Sequence, residues 1–102
     1  MAQVNDERGQ VGGVARLLPW AGPEGKPCYL LGGAEGGLIS RMADDAERVQ
    51  LEMAGELLAH ATDLLADSRA TPPQLRYLLA RMAESLTDVR RIAVSRGVQT
   101  LP

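Results

Sequence analysis

Two long stretches of helical periodicity, broken once, constrain this chain more than any other feature. From Ser40 onward Met42, Ala46, Val49, Met53, Leu57, Ala61, Leu64 and Leu65 return at three- and four-residue steps. Plotted at about 100° per residue they fill one side of a helix, while Arg48, Glu52, Glu56 and Asp63 fill the other. The pattern predicts a helix over 40–67, with Ser40 as its N-cap. Asp44, Asp45 and Glu47 then place negative charge in the early turns, where the helix dipole favours it. Gly55 falls on the outward face and costs about 1 kcal/mol relative to alanine. The break is Asp67-Ser68-Arg69-Ala70. Thr71-Pro72-Pro73-Gln74 restarts the helix with threonine at N-cap, proline at N1 and glutamine at N3, the arrangement of a capping box. Leu75, Leu78, Leu79, Met82, Leu86, Val89 and Ala93 continue it, and Gly97 suits the stop, so a second helix is predicted over 71–96.

Two helices of this length joined by a few residues fold back on each other as an antiparallel hairpin. Their apolar stripes are too wide for that pairing alone. With Leu58 and Leu65, or Leu78 and Ile92, included, each covers nearly half the circumference, and one partner helix covers less. Aromatic side chains do not make up the difference, since the chain has only Trp20, Tyr29 and Tyr77 and no phenylalanine. The surplus apolar surface must meet N-terminal strands, a second protomer or another protein. A two-fold four-helix bundle, hence a homodimer, is the expected completion.

Ahead of the helices, residues 1–13 are polar and glycine-bearing and read as a mobile tail. Val14 to Trp20 reads as extended, with Pro19 confining it to an edge. Ala21 to Pro27 is a turn, punctuated by Gly22-Pro23 and Glu24-Gly25. Cys28–Leu31 and Leu38–Ser40 are short β-prone runs on either side of Gly32-Gly33-Ala34-Glu35-Gly36-Gly37, so the glycines are expected to turn a hairpin between them. The expected architecture is α+β and mostly α: a small β-hairpin or meander over 14–39 packed on the helical hairpin. Together they form one domain over 14–97, followed by a tail at 98–102.

Charge and cysteine usage narrow the functional classes. The net charge of −2 gives no bulk attraction to nucleic acid or anionic membrane. It is unevenly spread: residues 40–67 carry two arginines against seven carboxylates, a net −5, and residues 68–102 carry six arginines against two carboxylates, a net +4. A single cysteine, Cys28, precludes an intrachain disulfide and fits a reducing cytoplasm. No signal-peptide pattern opens the chain, and no apolar run approaches the roughly 18 residues that span a bilayer.

The chemistry-bearing residues form no catalytic set. The glycine run lacks the lysine and Ser/Thr of a phosphate-binding loop, places Leu38 and Ile39 before the predicted helix, and carries Glu35 within it. Cys28 has apolar neighbours and is expected to be a buried packing residue despite Lys26 nearby. His60, the only histidine, falls between Leu57 and Leu64 and is expected to pack at the helix interface. One histidine, one cysteine and scattered carboxylates offer no metal-ligand spacing. Glu52 and Glu56 read as a solvated face. No enzyme activity and no cofactor is expected.

Two surfaces remain as candidates for partners. Trp20 between Pro19 and Pro23, Tyr29 and Tyr77 are candidate partner-binding residues, an exposed tryptophan being a suitable anchor. Arg76, Arg90 and Arg91 form a basic set for an alternative, nucleic-acid-binding or antitoxin-like reading. Glu84 and Asp88 interrupt them, and no helix-turn-helix pattern accompanies them.

Gly25-Lys26-Pro27-Cys28-Tyr29-Leu30, the Ser40-Arg41-Met42-Ala43-Asp44 helix start and the segment from Ala70 to Arg91 together resemble a group of small uncharacterised actinobacterial, streptomycete-like proteins. The resemblance spans roughly residues 19–97. It implies a bacterial cytoplasmic protein and brings with it no activity, ligand or site residue. The sequence therefore points to a non-enzymatic adaptor or regulatory accessory protein, acting by protein–protein contact as a homodimer.

Overall fold

The computed structural model describes residues 15–32 and 37–97; the expected tails and the Gly33–Gly36 part of the glycine run lie outside the described residues. Two strands joined by a short 3-10 turn (Pro23–Gly25), then two α-helices, follow in order: β1 (Arg16–Ala21), β2 (Pro27–Leu30), α1 (Leu38–Ala66) and α2 (Pro72–Ser95). The fold is α+β and mostly α, with one two-stranded antiparallel sheet against a helical hairpin.

The expected extended segment, turn and strand pair as β1 and β2, but the second hairpin expected across the glycines does not form. β2 pairs backward with β1, and Leu38–Ser40 opens α1 instead of forming a strand. Two local causes account for this. Gly22 to Lys26 closes a tight turn, with the Gly22 N–H donating to the Lys26 carbonyl at 2.7 Å and Lys26 N–H to that of Pro23 at 3.2 Å. Glu24 and Gly25 there take φ of 59° and 75°, left-handed values that glycine holds at little cost and glutamate at more. Leu38 and Ile39, in turn, extend the helical period backward, and a short apolar run is ambiguous between helix and strand. Ser40 is therefore not the N-cap. That position belongs to Gly37, and the Ser40 hydroxyl accepts from Arg16 Nη1 at 2.8 Å.

Strand β1 departs from simple alternation. Leu18 and Pro19 are adjacent and both buried, which one face of a regular strand forbids. A register shift between Leu17 and Ala21 resolves the conflict, the strand bulging where proline has no N–H to give the ladder. The freed Pro19 carbonyl accepts from Gln50 Nε2 at 2.8 Å and from Arg91 Nη1 at 3.4 Å, so the bulge ties β1 to both helices.

The start of α2 follows its local chemistry closely. Thr71 Oγ1 accepts from Gln74 N–H at 3.3 Å while Gln74 Oε1 accepts from Thr71 N–H at 2.8 Å, a reciprocal capping box. Gly97 takes φ 77° just past the helix end. Because Thr71 is exposed, its cap is the main local determinant at this end. Thr71→Ala is expected to lower stability by about 1 kcal/mol in a denaturant titration, and Thr71→Ser to leave it nearly unchanged.

Candidate interaction surface

The core of the chain is small. Among the described residues only Leu18, Ala43, Leu78 and Ile92 are buried hydrophobics, and fifteen large hydrophobic side chains are exposed. Single exposed apolar residues are ordinary, but a contiguous apolar surface marks a contact site. Here much of the exposed set is contiguous. Leu51, Leu58 and Leu65 recur every seven residues on one flank of α1, and Leu79, Met82, Leu86 and Val89 run along the adjoining flank of α2. Between them lies an open trough of about 430 Å³, lined by Ala54, Leu57, Leu58, Leu79, Met82, Ala83, Ser85, Leu86 and Val89. Leu58 is 62 % exposed, Leu79 and Leu86 each 68 %. No strand residue lines the trough.

The other side of the hairpin is polar. A smaller cavity there is lined by Gln50, Met53, Leu57, Arg81, Glu84, Ser85 and Asp88. Strand β1 attaches on this side, through the bonds of Gln50 and Arg91 to Pro19. The helix seam itself is filled with small and polar side chains. Ala43, Glu47, Gln50, Ala54, Leu57, Ala61 and Leu64 keep a strict three–four spacing toward α2, and only two of the seven are large and apolar. This weak seam is why the leucines flanking it remain uncovered.

Glu47 is the unusual member of that seam, a carboxylate 1 % exposed. Its Oε1 accepts from Arg96 Nη2 at 2.6 Å and lies 3.5 Å from Arg16 Nη2. Arg16 also donates to the Ser40 carbonyl at 3.2 Å and to Asp44 Oδ1 at 2.7 Å. Glu47 thus joins β1, α1 and the end of α2. Partial burial disfavours the Arg16 charge. The hydrogen bond and charge of Asp44, with those of Glu47, outweigh that and hold the guanidinium pKa above its ordinary value. In the sequence Glu47 reads only as helix-start charge. Its place on the Ala43–Gln50–Ala54 stripe is the signal that it points inward.

The partner residues read from the sequence are dispersed. Trp20 is half-buried in β1, and Tyr29 in β2 is exposed. Tyr77 is exposed near the start of α2, fourteen residues or about 21 Å of helix from the Arg91 contact with β1, so the three aromatics do not form one patch. Arg76 and Arg90 are exposed and make no ion pair among the described residues. Arg91 is half-buried, donating to Asp88 at 3.3 Å as well as to Pro19, so the basic set is divided.

Three expectations are corrected. His60 is exposed on α1 and not packed at the interface, because the helix seam centres on Leu57, Ala61 and Leu64 and leaves it on the flank. Cys28 is half-buried, not buried, because a two-stranded sheet covers only one face of β2. Nor do any residues separate the glycines from the helix, since α1 begins directly after Gly37. Glu35 and the missing lysine still weigh against a phosphate loop.

Among the described residues no helix is long and apolar enough to cross a membrane, and no group of three His, Cys, Asp or Glu is placed to hold a metal ion. Compared with protein-family models, with curated proteins and with solved structures, the chain matches none.

Proposed function

We propose that this protein is a cytoplasmic, non-enzymatic adaptor or regulatory accessory protein that works by protein–protein contact, as a homodimer joined through the apolar face of its helical hairpin. The observation that carries this reading is the imbalance between four buried hydrophobics and fifteen large exposed ones. Covering a leucine is worth about 1.5–3 kcal/mol, and a two-fold interface counts each one twice. Leu58, Leu79 and Leu86 alone therefore supply on the order of 10 kcal/mol, comparable with the roughly 4–15 kcal/mol cost of association. With the trough used between copies, Trp20 and Tyr29 on the β-hairpin are the natural contacts for a different protein.

Sedimentation velocity at micromolar concentration tests the dimer, and a stable monomer there defeats it. A tagged-protein capture from the host lysate, with and without nuclease, tests the partner. Retention of a protein after nuclease supports the adaptor reading. Loss of everything with nuclease transfers the function to the alternative, a nucleic-acid-binding regulator contacting through Arg76, Arg90 and Arg91.

A further inference from the structure

We propose that the cavity beside Glu47 binds a compact organic cation, a guanidinium or a primary ammonium, and that Arg96 is a tethered occupant which such a cation displaces. The cavity is open, about 370 Å³ in volume, and lined by Asp44, Glu47, Arg48, Leu51, Glu52 and Arg96. Its lining carries three carboxylates against two arginines. Both arginines are already paired, Arg48 with Asp45 at 3.0 Å and Arg96 with Glu47 at 2.6 Å, so an anion meets a net negative wall and no uncommitted cation. A metal ion does not suit it either, since among the described residues no group of three His, Cys, Asp or Glu is placed to hold one.

The acceptors left over set the class of ligand. A carboxylate accepts through both oxygens, and a buried acceptor without a donor costs free energy. Glu47 Oε1 is taken by Arg96 and Arg16, while Oε2 is buried with no hydrogen-bond partner. Arg16 has no hand to spare for it, because Nη1 is given to Ser40 and Nη2 to Asp44. Glu52, exposed in the same lining, makes no ion pair among the described residues. A positively charged N–H donor answers both carboxylates, and Leu51 offers apolar surface to its stem.

The molecule already shows such a group in place. Arg96 sets its guanidinium on Oε1 from the cap residue of α2. Its side chain is 64 % exposed against 24 % for Arg16, so it can leave Glu47 with its charge still hydrated. Oε2 is closed to solvent in this arrangement, so entry follows the departure of a wall side chain, and Arg96 is the one least held. An entering guanidinium then takes both oxygens in the parallel manner that its planar fork allows. Its affinity is reduced by the fraction of time that Arg96 remains seated.

A titration with ethylguanidinium chloride, followed by amide chemical shifts at low salt against sodium chloride as blank, tests this. In Arg96→Ala, checked for unchanged helicity, saturable shifts are expected around residues 44–52 at about millimolar concentration, with affinity about 3- to 10-fold above that of the parent. Arg48→Ala removes the same charge from the same lining but leaves Arg96 on Glu47, so its gain is expected to stay below about 2-fold. Equal gains in the two variants, or saturation that survives Glu47→Met, make the binding a general response to negative surface and overturn the proposal. Absence of saturable shifts in Arg96→Ala also overturns it, water then serving Oε2. If Arg96→Ala is too unstable to titrate, millimolar ethylguanidinium is expected to raise its melting temperature and to leave that of Glu47→Met unchanged, and no rise overturns the proposal. The same chemistry arrives on a partner's arginine side chain or as a free amine. N-acetylarginine amide carries the bulk of a peptide main chain and putrescine does not, so the tighter binder in Arg96→Ala identifies the source.

Discussion

Leu86→Asp is expected to turn the protein into a monomer without unfolding it. The side chain is 68 % exposed in the single chain, so a carboxylate there stays hydrated and costs little beyond the lower helix propensity of aspartate, about 0.6 kcal/mol. In the dimer the same carboxylate enters an apolar interface twice, and the one cation within a helical turn, Arg90, stands exposed outside the trough lining. An unpaired buried charge costs several kcal/mol, so dissociation is expected to rise by more than about 100-fold. Sedimentation velocity across nanomolar to micromolar protein measures the shift, and far-ultraviolet circular dichroism at low concentration reports whether α1 and α2 persist. Leu58→Asp on the facing helix should behave alike. Tyr77→Ala is the control: Tyr77 is equally exposed but off the trough, and its loss should leave association unchanged. A Leu86→Asp protein that dimerises with parental affinity removes the apolar face from the interface.

The contrast between Leu86 and Glu47 shows what the sequence made legible. Helical period, the Thr71–Gln74 cap and the Gly97 stop are local signals, each acting through neighbours within four residues, and the structure repeats them. Excess apolar width is likewise readable, because the circumference of a helix is fixed whatever packs on it. Which residues of the wide stripe face the partner helix is not readable in the same way. That depends on where β1 lands, and β1 lands through the carbonyl of Pro19, a group with no sequence signature. The fate of Leu38–Ser40 was illegible for a related reason. Leu38 and Ile39 suit strand or helix equally, and the outcome rests on the compact turn at Gly22–Lys26 and on Arg16, which draws Ser40 into its own hydrogen bonds. His60 and Cys28 read as packed from their immediate neighbours, yet the tertiary contacts of this chain cover too little surface to enclose either.

Arg16→Met is expected to lower the unfolding free energy by about 2–4 kcal/mol, the largest stability effect available from one side chain of the cluster. Methionine keeps most of the apolar stem, so the loss is chiefly polar. Arg16 holds the start of α1 to β1 through Ser40 and Asp44, and it is one of two cations near Glu47. Without it the buried carboxylate depends on Arg96 alone, a side chain 64 % exposed at the end of α2. Arg96 reaches Glu47 with one hydrogen bond, to Oε1, and so offsets only part of the burial. Urea titrations at one fixed protein concentration measure the effect, since the stability of a dimer varies with concentration. Glu47→Met identifies its origin. An apolar side chain of similar size in place of a buried ion is often neutral, and with no carboxylate left to desert, Arg16→Met should cost at least about 1 kcal/mol less in that background. If the full cost persists there, Arg16 acts through Ser40 and Asp44, as a clasp between strand and helix, and Glu47 is balanced by Arg96.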